Sequence, residues 1–320
     1  MEPLILWCTP YMVGGVTAFA ANLQMVTGWP MVRLSKRSTK PAKKIPGWPV
    51  EYHLRTLEEL IDDPRPLILA GGSWVHEEAV WHRLDKRKEG VYWVFHDPTE
   101  FKTMPHTRAF DPMLCVVLRQ ANLRHQPMAT LLPQPYAPSY ADTSVLLRYR
   151  HAVSTARVDA MKQSHLLVEA NRRIPDEKKI LLSGSPNRMY VYGKKVKYPE
   201  LLNLHSRPPG FGSGAALCRT AEYSVDMTRI VGDGGGLQYT TLEAIDAGAV
   251  PVVWNEWLAH PGPMHDLKVL SVASSAELAA LLNQTIDNTL LEAFRLHNKR
   301  YLQKRHAPAI LKAVYNNLFA

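Results

Sequence analysis

The sequence predicts an α/β protein made of two tandem domains, each with a parallel, doubly wound sheet. Three observations carry this. Short, wholly apolar runs alternate with segments of helical apolar spacing. The alternation stops at Pro133-Gln134-Pro135-Tyr136-Ala137-Pro138 and then begins again, so these prolines read as a connection between domains. The 320 residues also exceed the usual span of one domain, about 100–150 residues. The boundaries fall at 1–136 for the first domain and 137–320 for the second, with the C-terminal helix a candidate to pack back on the first.

In the first half, Leu4–Trp7 reads as a strand, Gly14-Gly15 as a turn, and Ala18–Val26 as a helix. Pro66–Ala70, Val91–Phe95, Met113–Leu118 and Ala129–Leu132 read as four further buried strands. In the second half, Ala152–Thr155, Ile180–Leu182, Tyr223–Val225, Val250–Trp254 and Val269–Val272 read as strands, with a helix through Leu166–Ala170. The tail from Ala276 to Leu318 is mostly helical, broken at Pro308. Two sheets of Rossmann type imply a clamshell, with ligands at the carboxyl ends of strands and in a central cleft.

Composition narrows the function classes. A net charge of +9 and a pI near 9.4 point to a polyanionic partner, nucleic acid before an anionic membrane surface. Cys8, Cys115 and Cys218 are too scattered for a disulfide framework or a zinc site. The N-terminus lacks a basic leader, and no apolar run approaches the roughly 20 residues that span a bilayer. The expectation is therefore a cytoplasmic protein, in the host-cell cytoplasm if the source is viral. Oligomeric state cannot be read from the chain.

The richest stretch is Gly232-Asp233-Gly234-Gly235-Gly236-Leu237-Gln238, followed by a helix carrying Glu243 and a small-residue turn into Val250–Trp254. Glycines let the backbone approach a ligand, and the helix N-terminus offers unpaired N–H groups and partial positive charge. Glu243, expected about two turns into the helix, suits a cis-diol because a carboxylate accepts two hydroxyl hydrogens. Arg157 and Lys162 suit a diphosphate, the first as a fork and the second as a point charge. The layout is that of a nucleotide-sugar site.

On these residues the second half resembles the donor-binding domain of GT-B glycosyltransferases. Ser154–Lys162 is similar to the family's first C-domain strand and turn, where an Arg and a Lys five residues on hold the diphosphate. The resemblance implies that Glu243 binds the ribose hydroxyls and that Gly14-Gly15 faces the diphosphate. Ser185, Gly234, Gly235, Gly236, Leu237 and Gln238 complete the implied donor-binding set. It also implies the GT-B fold, two Rossmann-like domains with parallel sheets facing a central cleft. The donor would be a nucleoside-diphosphate sugar, with UDP favoured and no cofactor required. No Asp-x-Asp motif is visible, so a required metal is not indicated.

Many retaining members carry Glu-x7-Glu, and the place of the first glutamate here is Gly235. The departure favours an inverting mechanism, with a general base in the first domain. Asp97, in Tyr92-Trp93-Val94-Phe95-His96-Asp97-Pro98, is similar to the catalytic aspartate of the phage DNA β-glucosyltransferases, and His96 is its rival as base. His76 and Glu77 sit at another expected strand end, where Ser73 also reads as a helix cap. Asp226 and Asp233 bracket the glycine loop and are candidates for contact with the sugar.

The acceptor signal is charge. Arg33, Lys36, Arg37, Lys40, Lys43 and Lys44 form an acid-free run that leads into Trp48, suited to tracking phosphates and stacking on an extruded base. Arg119 and Arg124 add charge after the fourth strand of the first half, with His125 beside them, and Lys194, Lys195 and Lys197 form a second basic rim. The charge points to double-stranded DNA, and the resemblance to the phage DNA glucosyltransferases implies a hydroxylated base in it, such as a 5-hydroxymethylpyrimidine. Two alternatives stay open: a GT-B enzyme acting on an envelope glycan or small molecule, and a non-catalytic nucleic-acid-binding protein on a transferase scaffold.

Overall fold

The computed structural model describes every residue except 10, 12–13, 40, 72–77, 85, 88–89, 97–99, 101–114, 139–147, 206–209, 231–234 and 320. The chain divides into two compact units, one of Met1–Ala137 with Arg305–Ala320 and the other of Pro138–Lys304.

Unit 1 runs β1 (Leu4–Trp7), α1 (Gly15–Thr27), β2 (Met31–Leu34), β3 (Lys43–Lys44), β4 (Glu51–Arg55), α2 (Leu57–Asp62), β5 (Leu67–Ala70), α3 (Glu78–Leu84), β6 (Val91–Phe95), β7 (Cys115–Val117) and β8 (Thr130–Leu131). The sheet order is β3-β4-β2-β1-β5-β6-β7-β8. All pairings are parallel except β3 with β4. Every residue of β1 and β5 is buried, as expected for central parallel strands covered on both faces. On one face of the sheet Leu4, Leu6, Leu67 and Leu69 join Val32, Leu84, Trp93, Phe95 and Val117 in one core.

The sequence reading did not separate β2, β3 and β4 from the surrounding loops. β4 explains why: of Glu51–Arg55 only Tyr52 is buried, so the strand lacks an apolar run. Arg33, the first cation of the acid-free run, lies on β2 with its guanidinium 4.8 Å from the Trp7 ring centroid. Lys43 and Lys44 pair with Tyr52 and Glu51, at the start of β4. They therefore sit at the amino edge of a parallel sheet, opposite the edge where ligands collect.

Unit 2 runs β9 (Arg150–Ser154), α4 (Ser164–Asn171), β10 (Ile180–Leu182), α5 (Arg188–Lys194), α6 (Ser213–Cys218), β11 (Ala221–Asp226), α7 (Tyr239–Asp246), β12 (Val250–Trp254), β13 (Leu270–Val272), α8 (Ser275–Asn283) and α9 (Asn288–Arg305). Its sheet is wholly parallel, in the order β10-β9-β11-β12-β13. The chain winds outward from β9 to β10 and then returns to the other side at β11. The strand order thus reverses between β9 and β11, and their carboxyl ends form the topological switch point.

The last helix, α10 (Pro308–Phe319), belongs to unit 1. Tyr315 and Phe319 are fully buried. Phe319 meets Trp29 and Tyr92 edge-on at 5.9 and 4.8 Å, and the Tyr315 hydroxyl donates to the Pro133 carbonyl at 2.9 Å. His306, just before α10, lies edge-on to Tyr136 with ring centroids 6.3 Å apart. Burial pushes its imidazole down to about 4, against a backbone hydrogen bond at Gln134 that favours the charged form.

Candidate functional site

The switch point of unit 2 gathers the side chains that the sequence reading assigned to a diphosphate. The turn after β9 and the segment after β11 are stitched together because their strands are neighbours. The Arg229 N–H donates to the Met161 carbonyl at 2.8 Å, and the Gln163 side-chain amide donates to the Met227 carbonyl at 2.8 Å. Gln163 itself adopts a left-handed backbone, φ 48, which an L residue adopts at a cost. The turn is thereby held in one shape.

Within it, Asp159 connects the two predicted cations. One carboxylate oxygen accepts from the Arg157 guanidinium, and the other accepts from the Lys162 backbone N–H at 2.8 Å. The Arg157 side chain stays 62% exposed while Asp159 is 5% exposed, so the guanidinium is anchored yet open to solvent. The Lys162 ammonium donates to the Thr228 hydroxyl at 2.8 Å and to the Gln238 side-chain carbonyl at 3.1 Å.

Gln238 is the N-cap of α7, and its side chain makes no capping hydrogen bond. Lys162 therefore brings a full positive charge to the positive end of a helix dipole. That placement is unfavourable by roughly 0.3–1 kcal/mol until an anion joins it. Part of the compensation is Asp226, at the end of β11 and 6% exposed. Burial pushes its carboxyl up, but the Lys162 ammonium and hydrogen bonds from Thr228 and Thr240 outweigh this and hold it below the usual carboxylate range. Because both its oxygens accept from those hydroxyls, Asp226 is a buried support rather than the sugar contact the sequence suggested.

Glu243 is half-buried on α7. The helix begins at Tyr239, so Glu243 lies a little over one turn into it, nearer the N-terminus than the sequence implied. Its axial distance from Gln238 is roughly 7.5 Å, and it shares a face with Tyr239 and Thr240. Arg157, Lys162, Gln238 and Glu243 thus belong to two neighbouring segments at the switch point.

The loops around them are built on close backbone approach. A Cβ on Gly184 would stand 1.7 Å from the Ala156 carbonyl oxygen. Ser185, exposed, accepts from the Val158 N–H at 3.0 Å, which brings the turn after β10 beside Arg157. Gly235, φ 80, is buried against Gly262, whose added Cβ would fall 2.6 Å from its Cα. Gly236 is buried and Leu237 is 3% exposed, so Leu237 offers a ligand only backbone. Asp233 and Gly234 lie outside the described residues.

In unit 1, Gly14 caps α1 with φ 120, and open space lies beside both Gly14 and Gly15. His96, just past β6, packs its ring edge-on against Phe19 at 5.0 Å, and its backbone N–H donates to the buried Glu100 carboxylate at 2.5 Å. Glu100 was not anticipated, since it follows the strand by five residues with no apolar pattern to mark it. Asp97, Lys40, Ser73, His76 and Glu77 lie outside the described residues.

The basic residues do not form one patch. Lys36 and Arg37 are exposed just past β2, and Arg119 and Arg124 follow β7, all beyond strand carboxyl ends. Lys43, Lys44 and Trp48 instead form a hairpin at the amino edge, where the Trp48 N–H donates to the Ile45 carbonyl at 3.0 Å. Among the described residues no His, Cys, Asp and Glu cluster suits a metal ion, and no helix is long and apolar enough to cross a membrane.

No family model matches the chain, and no curated protein matches it. Solved structures do. The chain has the fold of the GT-B glycosyltransferases, and structures of that class align with it from end to end. An α-glucosyltransferase in complex with UDP and a 13-mer DNA containing a central A:G mismatch aligns with TM-score 0.71 and 14% identity, over 100% of both chains. Anabaena HepE in complex with UDP-glucose aligns with TM-score 0.69 and 11% identity, over 99% of this chain and 98% of its own. AviGT4, a glycosyltransferase involved in avilamycin A biosynthesis, aligns with TM-score 0.63 and 14% identity, over 100% of this chain and 97% of its own.

Proposed function

We infer that the protein is a glycosyltransferase that takes a sugar from a nucleoside-diphosphate donor, UDP by preference, and transfers it to a hydroxylated base in double-stranded DNA. The observation that carries the donor half is the Lys162 ammonium held at the N-terminus of α7 beside Gln238. The neighbours crystallised with UDP or UDP-glucose support that nucleotide.

Lys162 and Arg157 neutralise the diphosphate, and Glu243 takes the ribose hydroxyls. In the transfer, the acceptor oxygen forms a bond to the anomeric carbon as the bond from that carbon to the diphosphate breaks. The acceptor's proton passes to a base in unit 1, assigned to Asp97 with His96 as the alternative. The electron pair leaves with the diphosphate, where Lys162 and Arg157 stabilise the developing charge. With Gly235 at the position eight before Glu243, where retaining enzymes carry a glutamate, the reading is inverting transfer.

The acceptor half is supported by the net charge of +9, by exposed cations past β2 and β7, and by the neighbour bound to DNA. Arg188, Lys194, Lys195 and Lys197 add an exposed, acid-free run on unit 2. The test is uptake of label from a panel of UDP-sugars by hydroxymethylated and plain duplex DNA. Label in hydroxymethylated DNA alone supports the proposal. Label in neither, with transfer to glycan or small-molecule acceptors, overturns the DNA assignment and keeps the transferase.

A further inference from the structure

The buried pair Asp226 and Thr228 has no counterpart in the donor contacts described so far, yet it touches Lys162. An ammonium only donates hydrogen bonds, so the Thr228 oxygen must accept from Lys162 at 2.8 Å. A hydroxyl has one proton, and that proton goes to Asp226. The Thr228 backbone N–H donates to the same carboxylate oxygen at 3.0 Å, which fixes the residue at both ends. The other Asp226 oxygen accepts from Thr240, in the first turn of α7. A chain of polar contacts thus runs from α7 through Asp226 and Thr228 to the Lys162 nitrogen.

We propose that Asp226 and Thr228 are positioning residues that aim the Lys162 ammonium at the donor diphosphate. The proposal rests on the reading of Lys162 as a phosphate-binding group. Asp226 fixes the direction of the Thr228 hydroxyl, and the hydroxyl in turn presents a lone pair to Lys162. The long lysine stem, which has several rotatable bonds, then loses little freedom when donor binds because it is already held. Neither residue touches substrate.

This arrangement makes an unusual demand on electrostatics. By charge alone, removing the Asp226 carboxylate should tighten binding of an anion such as UDP. If the carboxylate works by aiming Lys162, removing it weakens UDP binding. Calorimetric affinities for UDP, and NMR-detected affinities for uridine, therefore test the proposal in Asp226→Asn, Thr228→Val, Thr228→Ser and Lys162→Met proteins. Uridine lacks phosphate and does not report on Lys162.

The expected result is a tenfold or greater loss of UDP affinity in Asp226→Asn and Thr228→Val, with uridine affinity unchanged. Thr228→Ser, which keeps the hydroxyl, retains wild-type affinity and serves where the valine variant folds poorly. Tighter UDP binding in Asp226→Asn, equal losses for UDP and uridine, or a tenfold loss in Thr228→Ser would overturn the proposal. If Lys162→Met leaves UDP affinity intact, the lysine itself has been misread. If Lys162→Met weakens UDP binding and the Asp226 and Thr228 variants do not, only the positioning role fails.

Discussion

Gly184 lies against the Ala156 carbonyl so closely that a Cβ would stand 1.7 Å from its oxygen. The obstacle is backbone, so it cannot swing aside. Gly184→Ala should cost roughly 1–3 kcal/mol or more by overpacking, and should weaken UDP binding by shifting the turn that holds Arg157. The same change at Gly193, a helical residue with open space around it, should be neutral or stabilise by roughly 0.5–1 kcal/mol. Thermal melts of both variants, with and without UDP, decide this.

Glu243 should be read by the ribose. If its carboxylate holds the two ribose hydroxyls, wild-type protein prefers UDP over 2′-deoxy-UDP, and Glu243→Gln loses most of that preference. A charge-assisted hydrogen bond is worth about 1.5–3 kcal/mol, so the preference should be roughly tenfold or greater. Equal discrimination in both proteins would remove Glu243 from the ribose.

The residues gathered at the unit 2 switch point were named from the chain, but their connections were not. The resemblance to the GT-B donor domain marked Arg157 and Lys162, and the glycine-rich stretch ahead of a helix marked Glu243. The contacts that bind them were hidden, since Lys162 reaches Thr228 and Gln238 across 66 and 76 residues. No periodicity records such pairings. In the fold, β1, β5 and β6 were visible because buried parallel strands are continuous apolar runs. The edge strand β3 and its neighbour β4 were not, because one is two exposed lysines and the other buries a single side chain.

The carboxyl and amino edges of the unit 1 sheet should differ in their response to salt. Lys36 and Arg37 lie past a strand carboxyl end, whereas Lys43 and Lys44 are at the amino edge. Replacing the first pair by glutamine should reduce the slope of log affinity for duplex DNA against log salt by about 2, at roughly 0.9 per phosphate contact. Replacing the second pair should leave the slope unchanged. Filter binding of a hydroxymethylated duplex over a salt series measures both.

Acid should loosen unit 1 through His306. Its folded pKa is about 4, below the ordinary value of 6.5. The unfolded chain therefore takes up a proton between those values while the folded chain does not, so stability falls as pH drops through this window. The loss between pH 7 and pH 5 should be about 2 kcal/mol. His306→Gln should flatten that part of the profile in denaturant titrations at the two pH values.

Because α10 completes the core of unit 1, the order of synthesis and the order of folding must differ. A ribosome finishes residues 1–137 long before it makes Tyr315 and Phe319, so the nascent first half waits with an apolar groove uncovered. Unit 2 meanwhile has all its strands and can settle first. Here a helix made late closes a unit begun much earlier, and truncation ahead of Tyr315 would strip Trp29 and Tyr92 of the ring that covers them.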